Sequence, residues 1–125
     1  MTRSTSLPVL TPPAPAAGAA LELVAKFFRA LGDPTRLDLL EFLVEHGEAT
    51  GSECVQRAGL SQGRVSAHLA CLVSCGLVTM RRQGRYAYYR VIDKRVGGLV
   101  AVGTDMTAEH ALSIAACLRV GPPGS

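Results

Sequence analysis

The chain has 125 residues, 48% of them hydrophobic and 18% charged; that length and balance belong to one globular domain with a modest core and exclude a chain disordered throughout. Its formal net charge of +3 permits a polyanionic partner without requiring one, because the total does not say where the arginines lie. No run approaches the ~20 apolar residues of a membrane helix, and Pro8, Pro12, Pro13 and Pro15 interrupt the first apolar stretch, which argues against a secretory signal and for a cytoplasmic protein.

Residues 1–17 are rich in Pro, Ala, Ser and Thr and offer too little apolar surface to offset the entropy of ordering, so they read as a disordered arm. Over residues 18–30 the apolar Leu21, Val24, Ala25, Phe27 and Phe28 recur at helical spacing, with Glu22, Lys26 and Arg29 opposite; this is a first amphipathic helix. A second helix starts at Asp33-Pro34, an N-cap carboxylate followed by a proline suited to the first turn, and stops at Gly47. A third, over residues 52–58, ends at Gly59, and Ser61 caps a fourth that runs to Cys75, closed by Gly76.

The period changes after Gly76. Residues 77–82 and 85–92 alternate apolar and polar positions and are rich in Val and Tyr, with Gln83-Gly84 between them, the pattern of a β-hairpin. A fifth helix is expected from Asp93 to about Val102, weakened by Gly97 and Gly98, and a last one over residues 107–118 with Thr107 as its cap. Four helices, a hairpin and a helix, with a tight turn between the third and fourth, make a mainly α protein with a β-hairpin wing: a winged helix-turn-helix. In that architecture the fourth helix enters the major groove of DNA and the hairpin follows the backbone. Small polar and cationic side chains, Ser61, Gln62, Arg64, Ser66 and His68, line the start of the fourth helix, and Arg81, Arg82 and Arg85 cluster at the hairpin tip, where phosphate contacts are wanted. Three arginines at an exposed turn can also serve solubility alone; the adjoining helix-turn-helix favours DNA.

The second chemical feature is a pair of thiols. Cys71 and Cys75 are separated by four residues, which puts them on one face of the fourth helix with Cβ atoms about 5–6 Å apart, a spacing from which two thiolates can converge on one ion. The four cysteines of the chain, these two with Cys54 and Cys117, are too few for a disulfide scaffold and are expected as thiols. Free cysteine is also a common core residue, and that reading is preferred for Cys54.

The stretches Ala30-Leu31-Gly32-Asp33-Pro34-Thr35-Arg36-Leu37, Leu60-Ser61-Gln62, Val65-Ser66-Ala67-His68-Leu69, Gly76-Leu77-Val78 and Gly84-Arg85-Tyr86-Ala87-Tyr88-Tyr89, in that order, resemble the ArsR/SmtB family of metal-responsive repressors. The resemblance implies a homodimer on an inverted-repeat operator, released when an inducer binds. The family's third-helix Cys-Val-Cys site is replaced here by Thr50, Gly51 and Ser52, and its fifth-helix site lacks histidine between Asp93 and Val102. The segment around Cys71 and Cys75 is similar instead to that of the CmtR-type cadmium and lead sensors, and the resemblance implies Cys117 as a third thiolate from the C-terminal tail. Cys117 lies further along than alignment through Thr104-Asp105 would place that ligand. ArsR-type mercury regulators are a second branch to weigh, since mercuric ion is soft and thiophilic.

The expected organisation is therefore an arm at 1–17, a winged helix-turn-helix at 18–103, and a C-terminal helix and tail at 104–125 that contributes Cys117 to a metal site with Cys71 and Cys75. His110 is a reserve ligand. The inducer is expected to be cadmium, lead or mercury, and the partners double-stranded operator DNA and a second copy, with no membrane. Two alternatives differ in chemistry. A redox-responsive repressor of the same fold would oxidise the thiol pair, though an i, i+4 disulfide is geometrically poor. A thiol enzyme would need a base and a substrate pocket that no motif suggests.

Overall fold

The computed structural model describes residues 17–121 of the chain; the arm expected at 1–17 lies, but for Ala17, outside them. Five helices and a small sheet follow in the order α1 (Ala17–Leu31), α2 (Pro34–His46), β1 (Ala49–Thr50), α3 (Gly51–Ala58), α4 (Gln62–Ser74), β2 (Val78–Gln83), β3 (Tyr86–Val91) and α5 (Arg95–Ala116). The fold is a winged helix-turn-helix, as the chain order implies.

Local chemistry explains most boundaries. Asp33 Oδ1 accepts the backbone N–H groups of Thr35 and Arg36 at 2.9 and 3.0 Å, satisfying donors that the first turn of α2 leaves orphaned, and Pro34 has no such donor to lose. Thr50 and Glu53 form a reciprocal capping box at α3. Ser61 Oγ accepts from the Arg64 N–H at 3.2 Å and starts α4. At the other end of α4, Gly76 N–H reaches Val73 O and Leu77 N–H reaches Leu72 O, while Gly76 takes φ +78°; this double bond pattern around a left-handed glycine stops the helix with Cys75 as its last cap residue.

The core gathers around α2. Leu39, Leu40 and Leu43 are fully buried against Cys54 of α3, Val65, Leu69 and Leu72 of α4, Val78 of β2 and Val96 of α5. Each such leucine contributes roughly 1.5–3 kcal/mol relative to exposure. α4 thus buries one stripe, at positions 65, 69 and 72, flanked by the half-buried His68 and Cys71, and leaves the rest of its surface to solvent.

Three features differ from the sequence-based expectation. First, the sheet has three strands, in the order β1–β3–β2: Ala49 pairs with Tyr89 and Thr50 with Tyr88. Two residues are too few to show an alternating pattern. Second, Gln83 pairs with Tyr86, so the hairpin loop is Gly84-Arg85 rather than Gln83-Gly84, with Gly84 at φ +63° supplying the left-handed residue a two-residue loop requires. Third, the helical stretch after the wing, α5, is interrupted not before Thr107 but at His110, whose non-helical φ −118°, ψ 20° kinks it into two segments. Thr107 is not a cap. Its hydroxyl donates to the Gly103 carbonyl at 2.8 Å, as Thr104 does to Val100 at 2.9 Å, so both threonines bond back one turn and the helix continues through them. From Ala101 onward every described residue of this segment is exposed.

Candidate nucleic-acid interface and thiol site

Pleating of the hairpin separates its arginines. Arg81 pairs in register with Tyr88 and Arg82 with Ala87, and successive side chains of a strand point to opposite faces. Arg82 therefore turns inward, where it lines a hollow of about 470 Å³ with Arg85, Gln62, Ser66, Gln56 and Thr50. The start of α4, the start of α3 and the wing tip meet there. Of the candidate DNA contacts, the fold thus brings Gln62, Ser66, Arg82 and Arg85 together, with Ser61 and Arg64 exposed at the adjoining helix start.

His68 and Arg81 are held elsewhere. His68 is half-buried; its Nδ1 lies 3.3 Å from Arg36 Nη1 and 3.9 Å from Asp33 Oδ1, on the side of α4 that meets the start of α2. Arg81 is on the outer face of the sheet, where Glu48 binds it through two nitrogens at 3.1 and 2.9 Å and its guanidinium carbon lies 4.4 Å from the Tyr88 ring centre. Sequence reasoning missed Glu48 and Arg36. Neither belongs to a local pattern, since each acts on a residue more than thirty positions away.

At the far end of the same helix stand the thiols. Cys71 is half-buried and Cys75 exposed, and the Cys75 N–H donates to the Cys71 carbonyl at 3.0 Å, fixing the two residues one turn apart. Desolvation and the adjacent Cys71 sulfur push the Cys75 thiol above its ordinary range, and the charges of Lys26 and Arg36 oppose this. Two thiols on one helix face, reachable from solvent, are a donor set suited to a soft cation. Cys54 is different: it is fully buried, and burial, with the Glu53 charge, raises its thiol to about 11. Among the described residues no three His, Cys, Asp or Glu side chains converge within one protomer. Cys117, exposed beyond the end of α5, does not join Cys71 and Cys75 there, nor does His110.

Residues 33–80, from the N-cap of α2 to the middle of β2, match the model of the family described as bacterial regulatory protein, arsR family. A probable mercury resistance operon repressor of Streptomyces lividans is 48% identical over 103 residues, covering 82% of this chain and 82% of that protein. The chain belongs to the ArsR family. Its members are DNA-binding transcriptional regulators and not enzymes, which accords with a hollow built from the wing and the start of α4. The HTH-type transcriptional regulator CmtR of Mycobacterium tuberculosis is 38% identical over 100 residues, covering 72% of this ArsR-family chain and 84% of the relative. Among solved structures, the homodimeric winged helix-turn-helix DNA-binding domain of Mb0332 from Mycobacterium bovis superimposes with a TM-score of 0.67 at 32% identity, covering 81% of this chain and 93% of that one. No helix among the described residues is long and apolar enough to cross a membrane.

Proposed function

We propose that the protein is a homodimeric repressor that binds an inverted-repeat operator and is released when a soft thiophilic ion binds Cys71 and Cys75. The observation that carries this reading is the layout of α4: its start lines the wing hollow, and its end carries a thiol pair one turn apart. Whatever draws the two sulfurs together acts on the same rigid element that meets DNA.

In the DNA-bound state Ser61, Gln62, Arg64 and Ser66 would face the groove, with Arg82 and Arg85 on the flanking phosphates; His68 and Arg81 stand next to this set through their partners Arg36 and Glu48. Cys71 and Cys75 would hold the ion, and Cys117 is the third donor. Because the three do not converge within one protomer, Cys117 would come from the partner subunit, just past the fully exposed second half of α5. A second copy is favoured by the apolar side chains that α1 and α5 leave uncovered: Leu21, Leu23 and Phe28 on one, Val102, Met106 and Ile114 on the other, each more than half exposed. The ion supplies a cross-link between α4 and the tail when bound. Cys71 and Cys75 must each give up a proton to receive it, and the pull on α4 lowers its fit to the groove.

Mercury is the first ion to test, with cadmium and lead after it, in view of the relatives named as a mercury resistance operon repressor and as CmtR. Titrating the reduced protein with each ion, while following thiolate-to-metal absorption and release of a bound duplex, separates the three. A coupling of about 1–3 kcal/mol would lower DNA affinity about 5- to 150-fold. Cys71→Ser and Cys75→Ser should each abolish that release and leave metal-free binding intact; release undiminished in both variants would sink the site.

A further inference from the structure

Arg81 carries the strongest set of contacts on the wing, and they point away from the hollow that Arg82 and Arg85 line. Its Nε and Nη2 donate to the two oxygens of Glu48 at 3.1 and 2.9 Å, its Nη1 donates to Gln83 Oε1 at 2.6 Å, and one face of the guanidinium lies over the Tyr88 ring at 4.4 Å. All three nitrogens and one face are therefore engaged. Reaching a phosphate would break a bidentate pair, which is more directional than a single charge contact, and would leave the Glu48 carboxylate facing the same polyanion.

The path of the clasp matters more than its strength. Glu48 immediately precedes β1, Arg81 is on β2, and β3 lies between those strands, with Tyr88 in register with both Thr50 and Arg81. The pair thus spans the whole sheet and tethers the outer strand of the wing to the residue pair that leads into α3. β1 has only two residues; Val78, Tyr89 and Val91 seat the base of the hairpin on the core, and the clasp adds a side-chain tie from its outer strand to the segment that leads into α3. An exposed ion pair adds little to stability. Its two-pronged geometry can still select one orientation of the elements it joins.

We propose that Glu48, acting through Arg81, sets the angle of the wing so that Arg82 and Arg85 meet the operator backbone, and that Arg81 is a positioning residue and not a phosphate contact. This rests on the DNA-binding reading above. The roles predict opposite signs for one substitution. If Arg81 met phosphate, Glu48→Gln would free it and remove a negative charge from the interface, and binding would tighten. If Glu48 positions the wing, the same change loosens binding.

The test uses the full-length protein and a duplex that the wild-type chain itself selects from a random pool. Glu48→Gln and Arg81→Gln are each expected to weaken binding about fivefold with the slope of log affinity against log salt unchanged, whereas Arg82→Gln should flatten that slope by about 0.9 for each phosphate it no longer neutralises. The charge-swapped double variant, Glu48→Arg with Arg81→Glu, should recover affinity relative to Arg81→Glu alone. Binding by Glu48→Gln as tight as wild type or tighter, or an Arg81→Gln slope as flat as that of Arg82→Gln, would overturn the assignment while leaving the DNA-binding reading standing; a wild-type chain that selects no duplex would overturn both.

Discussion

Arg36 Nη1 lies 3.3 Å from His68 Nδ1, so the first turn of α2 meets the middle of α4. The same arginine donates through Nε to the Ala30 carbonyl at 2.6 Å and through Nη2 to the Arg29 carbonyl at 3.3 Å. One side chain therefore joins the end of α1, the start of α2 and the flank of α4. Arg36→Ala removes the side-chain donor of the Ala30 carbonyl, while the Arg29 carbonyl keeps the Gly32 N–H at 3.1 Å, and should cost about 1–3 kcal/mol, read as a lower denaturant midpoint at unchanged slope. A midpoint equal to wild type would show that the junction does not depend on it.

Metal affinity should rise with pH. The Cys75 thiol is held above its ordinary range by desolvation and by Cys71, so near neutral pH it is protonated and each bound ion must displace its proton. Below the thiol range the apparent affinity should then increase about tenfold per pH unit for each proton released, up to about a hundredfold if both thiols contribute. Competition titrations between pH 6 and 8, with about one unit spacing, measure this. A flat profile would remove the thiols from the ligand set.

Cys54 predicts an alkaline weakness. Its thiol goes from an ordinary 9.0 to about 11 on folding, through burial and the Glu53 charge. A raised folded value means that the stabilisation is complete below the unfolded value and is lost as pH rises towards the folded one, because the unfolded chain releases the proton first. Urea midpoints should therefore fall between pH 9 and about 11, and Cys54→Ala should flatten that fall although it lowers stability overall. An equal slope in the variant would contradict the assignment. The same residue should resist thiol alkylation in the folded protein, unlike Cys75.

The uncovered apolar faces predict an obligatory partner copy. Phe28→Asp on α1 and Met106→Asp on α5, both at side chains more than half exposed in one protomer, should convert a dimer to monomers on size-exclusion with light scattering. A monomer can engage only one half-site, so duplex affinity should fall by at least about tenfold. Dimers that persist in both variants would relocate the interface.

Much of the fold could be read from local signals. Asp33-Pro34, Ser61 and Gly76 mark helix ends through the backbone groups they satisfy, and the period-two pattern on either side of Gly84 marks the wing. The length of α5 could not be read in this way. Thr107 carries the signature of a cap, but its hydroxyl bonds back to Gly103, and nothing local distinguishes the two uses. Strand β1 escaped because pairing with β3, not its own two residues, makes it a strand. In the candidate site, the run of residues from Ser61 to Ser66 and the Cys71 and Cys75 spacing were visible, since both lie within one helix. The partners of His68 and Arg81 were not.

The sequence by itself determined where helices start and stop, the presence of a hairpin, and the one-turn spacing of two thiols, because each follows from groups a few residues apart. Only the tertiary structure decided which arginine faces the hollow and which is tied to Glu48, that Cys54 is sealed while Cys75 is open, and that Cys117 stands apart from both thiols within one protomer. Those outcomes depend on which elements pack against one another, and long-range packing is set by the whole core around Leu39, Leu40 and Leu43 and not by any single stretch of chain.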